Sequence, residues 1–411
     1  MQSSIDVQSK TQYYIDLEDR YSAHNYHPLP VVLNKGEGVF VWDVEGKRYF
    51  DFLSGYSAVN QGHCHPRIIA ALAEQAHKLT LTSRAFHSDL FGEYAKFITG
   101  FFGYDKVLPM NTGVEAVETA IKLSRKWAYE VKGIKDKQAT IIVCDNNFHG
   151  RTSTVISFSS DPSARNHFGP YMPGFVSIPF NDLNALEKAL HDTTTAAFLV
   201  EPIQGEAGVM VPDDGFLKNA YRLCKQANVL FVADEIQTGL ARTGKMLACD
   251  YEDVRPDILI LGKALSGGTL PVSAVLADNE IMLTIQPGEH GSTYGGNPLA
   301  CKIAITSLEV LRDEHLAENA MQMGNYFRES LVNLKSRHIK TIRGKGLLNA
   351  ILIGHSHAEA AWELCLQLKE NGLLAKPTHG DKIRLAPPLI ITKDQVDESL
   401  TIIEKSLAVL D

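Results

Sequence analysis

Residues 229–263 read VLFVADEIQTGLARTGKMLACDYEDVRPDILILGK, and they hold the clearest signal of the architecture. Two short apolar runs in this stretch end in the charged residues Asp234 and Lys263. Near-continuous apolar runs of this length are typical of strands in a parallel sheet that is buried on both faces. The chain between the runs has the length of one crossover connection. We therefore predict that Asp234 and Lys263 reach the same edge of one sheet.

The same pattern extends outward along the chain. Apolar runs that end in polar residues also occur at residues 139–145 (ATIIVCD) and 196–202 (AAFLVEP). Stretches with apolar residues at helical spacing, such as residues 215–228, lie between the runs. Alternating strands and helices predict a large doubly wound, mostly parallel α/β domain over residues 67–316. Such sheets bind ligands at the carboxyl ends of their strands, so functional residues are expected there.

Two smaller segments flank the predicted α/β domain. Residues 1–66 contain an alternating apolar and polar pattern at 39–52, centred on Glu45-Gly46, which predicts a hairpin within an N-terminal arm. Residues 317–411 begin with an amphipathic helical stretch and continue with short strand-like runs between further helices. The pattern of this last part predicts a small α+β C-terminal domain.

Composition and charge disfavour several classes of protein. The 411 residues are 45% hydrophobic and 21% charged, as in ordinary folded proteins. Forty basic residues against 48 acidic ones give a net charge of −8, which disfavours nucleic acid as a partner. No apolar run approaches the roughly 20 residues that a membrane-spanning helix needs, so we predict no membrane contact.

The cysteines and the N-terminus bear on the compartment. The six cysteines are scattered without a C-x-x-C pair, a pattern that predicts free thiols in a reducing environment. The first 21 residues lack an apolar signal core, and their acidic residues disfavour a mitochondrial presequence. We therefore predict a cytoplasmic location.

Lys263 and Asp234 together suggest a particular chemistry. A lysine amine can form a Schiff base with an aldehyde, and pyridoxal phosphate additionally needs a carboxylate beside its ring nitrogen. Lys263 and Asp234 would supply these two groups. An ordinary salt bridge, or a solvated lysine at a strand end, is the alternative interpretation of the same two residues.

Other motifs could complete such a site. A small-residue turn at 111–114 enters a helical stretch whose first turn could bind a phosphate, although a plain capping turn would look the same. Phe148 could stack on a flat ring and Arg151 could hold a carboxylate, the alternative being a core phenylalanine and a surface arginine. Two histidines flank Cys64, but no second ligand cluster accompanies them, so we predict no metal. The fingerprints G-x-x-x-x-G-K-[ST] and G-x-G-x-x-G of common ATP and dinucleotide sites are absent.

Several blocks of the sequence together resemble the class III pyridoxal-phosphate aminotransferases. The resemblance extends from about Tyr21 to the C-terminal helix. Its most specific blocks are HNYHPLPV (24–31), SAVNQGHCHP (57–66), PMNTGVEA (109–116), VEPIQGEAGV (200–209), ADEIQTGLARTG (233–244), LGKALSGG (261–268), GSTYGGNPLA (291–300), RGKGLLNA (343–350) and AKPTHGDKIRLAPP (375–388). It implies fold type I of the pyridoxal-phosphate enzymes, pyridoxal phosphate as cofactor, and at least a homodimer with active sites at the subunit interface.

The resemblance also implies which residues contact the cofactor. Lys263 would hold it as a Schiff base and would then move a proton between substrate and cofactor. Asp234 would pair with the pyridine nitrogen, Gln237 would contact the phenolic oxygen, and Phe148 would stack on the ring. The phosphate would be held by Thr112, Gly113 and Val114, with Ser292 and Thr293 reaching it from the neighbouring subunit.

The substrates follow from the same resemblance. The substrate positions are similar to those of family members that act on ornithine and pass its terminal amine to 2-oxoglutarate by a ping-pong reaction. Arg151 would hold the distal carboxylate of either substrate. Arg384 would bind the carboxylate beside the keto group of 2-oxoglutarate, and Glu206 would neutralise Arg384 while ornithine is bound. Tyr26 and Tyr56 would contact the α-amino and carboxylate end of ornithine and favour δ-amine transfer.

Two alternatives stay open. His149 stands where some members that act on ornithine carry a tryptophan, and FHGRT (148–152) also occurs in members that act on N-acetylornithine. N-acetylornithine or 4-aminobutyrate is therefore the alternative amine donor, although Tyr26 and Tyr56 would obstruct a bulky N-acyl group. A non-catalytic binding protein on the same fold is the other alternative. The joint presence of Lys263, Asp234, Arg151, Glu206 and Arg384 disfavours it, because a pure binding protein would not need both the lysine and the carboxylate switch.

Overall fold

A computed structural model of the chain describes residues 9–411. Its strands, numbered in chain order, are β1 (Leu33–Glu37), β2 (Phe40–Asp43), β3 (Arg48–Asp51), β4 (Lys106–Met110), β5 (Thr140–Cys144), β6 (Phe175–Ile178), β7 (Thr195–Val200), β8 (Leu230–Asp234), β9 (Ile258–Leu261), β10 (Ser273–Ala277), β11 (Ile339–Lys345), β12 (Leu348–Ile353), β13 (Leu373–Leu374), β14 (Lys376–Thr378) and β15 (Lys382–Leu385). Its α-helices are α1 (Lys10–Tyr21), α2 (Ser54–Ser57), α3 (Pro66–Ala76), α4 (Asp89–Phe102), α5 (Gly113–Glu130), α6 (Ser153–Ile156), α7 (Pro162–Arg165), α8 (Leu183–Leu190), α9 (Phe216–Gln226), α10 (Asn279–Met282), α11 (Pro298–Asp313), α12 (Leu316–Asn333), α13 (Ala360–Asn371) and α14 (Lys393–Leu407).

A central sheet of seven strands organises the large part of the molecule. Its strand order is β4-β10-β9-β8-β7-β5-β6, and only β10 runs antiparallel to its neighbours. The four apolar runs of the sequence form β5, β7, β8 and β9, which lie side by side. The predicted doubly wound, mostly parallel sheet is therefore confirmed.

Both faces of this sheet are buried, which explains why its strands are apolar throughout. On β5, Ile141 and Val143 pack into the cluster that contains α5, whereas Ile142 and Cys144 pack into the cluster that contains α8 and α9. Successive side chains of a strand point to opposite faces, so a strand covered on both sides needs an apolar residue at every position. Each such side chain stabilises the fold by roughly 1.5–3 kcal/mol relative to an exposed one.

The N-terminal hairpin is present at the predicted place. β2 and β3 pair antiparallel, and Gly46 adopts φ +90° in the turn between them. The Asp43 carboxylate accepts hydrogen bonds from the backbone N–H groups of Glu45 (3.0 Å) and Lys47 (2.8 Å), which fixes the turn. β13, from the C-terminal part of the chain, pairs parallel with β3. The hairpin and the C-terminal part therefore share one four-stranded sheet.

The C-terminal part has the predicted α+β character. Its sheet has the order β11-β12-β15-β14, with antiparallel pairing throughout, and α12, α13 and α14 accompany it. Arg384 lies on β15, between β12 and β14. α11 ends at Asp313 and α12 begins at Leu316. The division of the chain at residues 66 and 316 stays a prediction.

Two further findings concern the chain as a whole. Within residues 9–411, no helix combines the length and the apolar composition that crossing a bilayer requires. All six cysteines are free thiols, as predicted; five are buried, and Cys64 is exposed.

Candidate active site

The ends of β8 and β9 bring Asp234 and Lys263 to one cavity. Asp234 is the last residue of β8 and pairs with Ile260 on β9, and Lys263 follows the end of β9 by two residues. Both side chains line a cavity of about 200 Å³ at this edge of the sheet. Lys263 adopts φ +45°, a left-handed conformation that costs a non-glycine residue roughly 1–3 kcal/mol. The surrounding fold therefore holds this lysine in a strained backbone position.

The amine of Lys263 is tuned by its surroundings. Burial lowers its pKa to about 8, because a desolvated ammonium is less stable than the neutral amine. The negative charge of Glu206 opposes this shift, and the positive charge of Arg384 adds to it. Within residues 9–411, the Lys263 side chain makes no hydrogen bond. A neutral, nucleophilic amine is therefore accessible near physiological pH.

Asp234 is buried and held by two donors. The residue is only 4% exposed. Its Oδ1 accepts a hydrogen bond from the backbone N–H of Ile236 at 3.1 Å. Oδ2 lies 2.7 Å from Nδ1 of His149, whose ring is buried. The sequence did not predict the contact between His149 and Asp234; it linked His149 only to the choice of substrate.

The N-terminus of α5 offers an anion site beside Lys263. Thr112 caps the helix: its Oγ1 accepts from the N–H of Glu115 at 3.4 Å, and the Glu115 carboxylate accepts from the N–H of Thr112 at 2.6 Å. In the described part of the chain, the N–H groups of Gly113 and Val114 have no acceptor, and both residues line the cavity. Free N–H groups at the positive end of a helix dipole bind anions such as phosphate.

Ser292 and Thr293 lie near that helix terminus but outside the cavity lining. The Asn111 amide donates to Oγ of Ser292 at 2.7 Å within the same chain, which places Ser292 beside the turn that enters α5. Thr293 is exposed. Their contribution to a site in a neighbouring subunit stays a prediction.

Arg384 and Glu206 form a close ion pair next to Lys263. Nη1 of Arg384 lies 2.6 Å from Oε1 of Glu206, and the Gln237 amide donates to the same oxygen at 3.1 Å. The Arg384 residue is only 1% exposed. Burial favours the neutral form of Glu206, but the charges of Arg384 and Lys263 outweigh it and lower the pKa of Glu206 to about 2. Glu206 is therefore ionised at physiological pH.

Two donors of Arg384 are left without partners. Nε and Nη2 are buried, and neither has a hydrogen-bond partner in residues 9–411. Unsatisfied buried donors are costly, so they are expected to meet an acceptor in the working protein. An arginine with one paired and two unpaired groups is suited to receiving a carboxylate.

The remaining predicted residues differ in how deeply they are buried near the cavity. Phe148 lines the cavity, and the Tyr56 ring lies 5.0 Å from the Arg384 guanidinium. Burial, together with the charge of Glu206, raises the pKa of Tyr56. Arg151 is exposed and lies 5.6 Å from the Phe148 ring. Tyr26 is 68% exposed, at the outer side of the site.

Glu201 is a site residue that sequence reasoning missed. It lines the same cavity, is buried, and its Oε1 accepts a hydrogen bond from the N–H of Phe148 at 2.9 Å. Burial raises its pKa to about 7. The signal was present in the sequence, because Glu201 directly follows the apolar residues of the run AAFLVEP, as Asp234 follows those of its own run.

The histidines that flank Cys64 each contact a carboxylate. Nε2 of His63 lies 2.7 Å from Asp51, and Nε2 of His65 lies 3.0 Å from Glu314. Among residues 9–411, no three or more His, Cys, Asp or Glu side chains are grouped so that they could hold a metal ion.

The residues at this cavity fit pyridoxal phosphate. An amine with a lowered pKa, a buried carboxylate, an aromatic ring and two unpaired N–H groups at a helix terminus are the groups that this cofactor requires. The family model for class III aminotransferases matches residues 21–407. The chain belongs to this family of pyridoxal-phosphate-dependent transaminases, and the predicted family, fold type, cofactor and enzyme class are confirmed.

Individual relatives show which members of this family the chain is similar to. The mitochondrial ornithine aminotransferase of Rattus norvegicus is 62% identical over 97% of this chain and 90% of its own length. A structure of the ornithine aminotransferase from Toxoplasma gondii, with partial occupancy of pyridoxal phosphate at its active site, is 51% identical with a TM-score of 0.96 and covers 97% of this chain and 94% of its own. The acetylornithine aminotransferase of Elizabethkingia anophelis is 59% identical with a TM-score of 0.90, covering 98% of this chain and all of its own.

Proposed function

We propose that the protein is an ornithine δ-aminotransferase. It transfers the terminal amine of ornithine to 2-oxoglutarate and produces glutamate and glutamate 5-semialdehyde, which cyclises to pyrroline-5-carboxylate. The observation that carries this proposal is the Glu206–Arg384 ion pair, 2.6 Å long, beside the Lys263 amine. Two relatives at 62% and 51% identity are ornithine aminotransferases, which supports the same conclusion.

Four residues would hold the body of the cofactor, and three would hold its phosphate. When bound, pyridoxal phosphate supplies an aldehyde for the substrate amine and a ring that withdraws electrons from the reacting carbon. Lys263 would provide the amine that anchors the aldehyde and the base that moves the substrate proton. Asp234 would face the ring nitrogen, Gln237 would contact the phenolic oxygen, and Phe148 would stack on the ring. The start of α5, with Thr112, Gly113 and Val114, would bind the phosphate through its free N–H groups.

The Glu206–Arg384 pair lets one pocket accept two different substrates. With ornithine present, Glu206 neutralises Arg384, so the guanidinium does not attract the α-carboxylate and the terminal amine enters first. With 2-oxoglutarate present, Glu206 gives way, and Arg384 binds the carboxylate beside the keto group through a paired, charge-assisted contact. Arg151, at the exposed rim, holds the distal carboxylate of either substrate.

Tyr56 is the residue that we expect to favour ornithine over simpler amines. In a Tyr56→Ile variant, the ratio of kcat/KM for ornithine to that for 4-aminobutyrate should fall by about tenfold or more, because the lost hydroxyl bonds only to the α-substituents of ornithine. Steady-state kinetics with both amines measure this ratio. Tyr56→Phe keeps the ring beside Arg384 but also lacks the hydroxyl, so the ratio should fall in this variant as well. An unchanged ratio in the isoleucine variant would remove Tyr56 from the selection of substrate.

The lowered pKa of Lys263 predicts how pH controls cofactor capture. Below pH 8, the rate at which apoprotein takes up pyridoxal phosphate should rise about tenfold with each unit increase in pH, and it should level off above pH 8, because only the neutral amine attacks the aldehyde. Free lysine, with a pKa near 10.4, should continue to accelerate well above pH 8. Stopped-flow absorbance measures both rates. A capture rate that tracked free lysine would show that the site does not tune this amine.

N-acetylornithine is the second candidate donor. The 59% identity to an acetylornithine aminotransferase favours it, and so does the histidine at position 149. Values of kcat/KM for ornithine, N-acetylornithine and 4-aminobutyrate, each with 2-oxoglutarate as acceptor, decide between the donors. We expect ornithine to rank first, and a higher value for N-acetylornithine would overturn the proposal.

We further propose a homodimer that works in the cytoplasm. The dimer is supported by Ser292 and Thr293, which lie beside the helix terminus that would bind phosphate but do not line the cavity of their own chain. The compartment is supported by six unpaired cysteines, as expected in a reducing environment. Light scattering of the holoprotein tests the first statement, and fractionation of the cells that make the protein tests the second.

A further inference from the structure

His149 occupies an unusual position for a buried histidine. Its side chain is completely shielded from solvent, and Nδ1 lies 2.7 Å from Oδ2 of Asp234. Its other ring nitrogen, Nε2, is also buried and has no hydrogen-bond partner in the part of the chain that the structure describes. The ring of Phe158 lies 6.0 Å away, centre to centre. The Asp234 carboxylate is therefore the one polar group that this ring contacts among residues 9–411.

The direction of this hydrogen bond follows from the chemistry of the two groups. An ionised carboxylate can only accept, so the proton of the bond belongs to Nδ1 of His149. Each carboxylate oxygen of Asp234 then receives one hydrogen bond, since the N–H of Ile236 donates to Oδ1 at 3.1 Å. Each oxygen retains one lone pair that can face a group in the cavity. His149 thus fixes the orientation of Asp234 and leaves it able to accept one more donor.

The carboxylates around the cavity bear on the charge of His149. Asp234 ends β8, Glu201 follows β7, and Glu206 lies in the loop beyond it. Glu206 is paired with Arg384, and a pKa of about 7 leaves Glu201 only partly ionised at physiological pH. Asp234, at 2.7 Å, is therefore the carboxylate that acts on His149 most directly. Lys263 is the other cation that faces the cavity.

The pKa of His149 agrees with this contact. Burial alone would lower its pKa, but the hydrogen bond to Asp234 and the charges of Asp234 and Glu201 outweigh burial and raise it. A shift in this direction favours the protonated imidazole, which would hold the Asp234 carboxylate more strongly because charge-assisted hydrogen bonds are stronger than neutral ones.

We propose that His149 is a positioning residue that, through its charge-assisted hydrogen bond, holds the Asp234 carboxylate aimed at the pyridine nitrogen of the bound cofactor. The inference rests on the proposed role of Asp234. Without His149, the Asp234 carboxylate would be left with a single backbone donor and could turn away from the cofactor. A carboxylate that has turned away stabilises a positive charge on the ring nitrogen less well. The pH at which that nitrogen loses its proton should therefore fall.

Two substitutions separate the charge of His149 from its volume. His149→Phe keeps an aromatic ring but removes both the donor and the charge. His149→Asn keeps a neutral N–H donor near the position of Nδ1 and removes only the charge. His65→Asn is the control histidine, because His65 pairs with Glu314 away from the cavity.

The test uses holoprotein loaded with pyridoxal phosphate that carries ¹⁵N in its ring. The ¹⁵N chemical shift, measured against pH, reports the protonation of the ring nitrogen, and equilibrium dialysis measures the affinity for the cofactor. In His149→Phe we expect deprotonation at a lower pH and an affinity about 10- to 100-fold weaker. His149→Asn should lie between this variant and the wild type, and His65→Asn should match the wild type.

A further variant, Asp234→Asn, distinguishes failure of this inference from failure of the proposed function. If Asp234→Asn alters the ¹⁵N shift and the affinity while both His149 variants match the wild type, the inference is overturned and the role of Asp234 stands. If Asp234→Asn also leaves both measurements unchanged, the proposed contact of Asp234 with the cofactor fails. Should His149→Phe not fold, a wild-type titration curve in His149→Asn would by itself overturn the role of the imidazolium charge.

Discussion

A Lys263→Ala variant should lose at least about 10³-fold in kcat and should no longer attach pyridoxal phosphate covalently. The lysine has two tasks, anchoring the aldehyde and moving the substrate proton, and proton transfer by a positioned base alone contributes roughly 10²–10⁴-fold. The measurement combines steady-state turnover with reduction by borohydride and peptide mass mapping. In the wild type, the reduced cofactor should be found on the peptide that contains Lys263.

Lys245→Ala is the control for this experiment. Lys245 is exposed in the loop that follows β8 and does not line the cavity. This variant should keep both the turnover and the reducible adduct of the wild type. Thermal unfolding of the two apoproteins shows whether Lys263→Ala has also disturbed the fold. An adduct found on any lysine other than Lys263 would contradict the assignment.

An Arg384→Ala variant should lose kcat/KM for 2-oxoglutarate by at least about 10²-fold. The substrate carboxylate would lose two charge-assisted hydrogen bonds, each worth roughly 1.5–3 kcal/mol. The reaction with ornithine should suffer much less, because Arg384 is paired with Glu206 in that step. Single-turnover kinetics measure the two half-reactions separately.

Glu206→Gln is the complementary variant for this pair. It keeps the shape of the side chain but leaves the Arg384 guanidinium unneutralised, so it should raise KM for ornithine and spare 2-oxoglutarate. The two variants therefore impair opposite half-reactions. Equal losses in both half-reactions, in either variant, would indicate a general structural defect and would contradict the proposed switch.

The central sheet could be predicted from the sequence because its signal is local. A strand buried on both faces must be apolar at almost every position. The four runs that end at Cys144, Val200, Asp234 and Leu261 show this pattern. The pairing of β3 with β13 could not be predicted in this way. It joins residues more than 300 positions apart, and nothing in either short segment specifies the other.

The candidate site likewise contains some residues that local sequence predicts and others that it does not. Lys263 and Asp234 were predicted because each ends an apolar run at the same edge of the sheet. Glu206 and Arg384 came only from the family resemblance, since their contact joins a loop of the large domain to a strand of the C-terminal sheet. The contact of His149 with Asp234 was not predicted, because a histidine next to an aromatic residue has the same appearance in a sequence whichever way its ring points.

The most direct test of the account is the visible absorbance spectrum of the holoprotein, recorded after each half-reaction of a single catalytic cycle. Ornithine alone should discharge the yellow colour of the bound cofactor and release one equivalent of pyrroline-5-carboxylate per subunit, and 2-oxoglutarate should then restore the colour. N-acetylornithine, added in place of ornithine, should act far more slowly. A colour that persists in ornithine but disappears in N-acetylornithine would contradict the account.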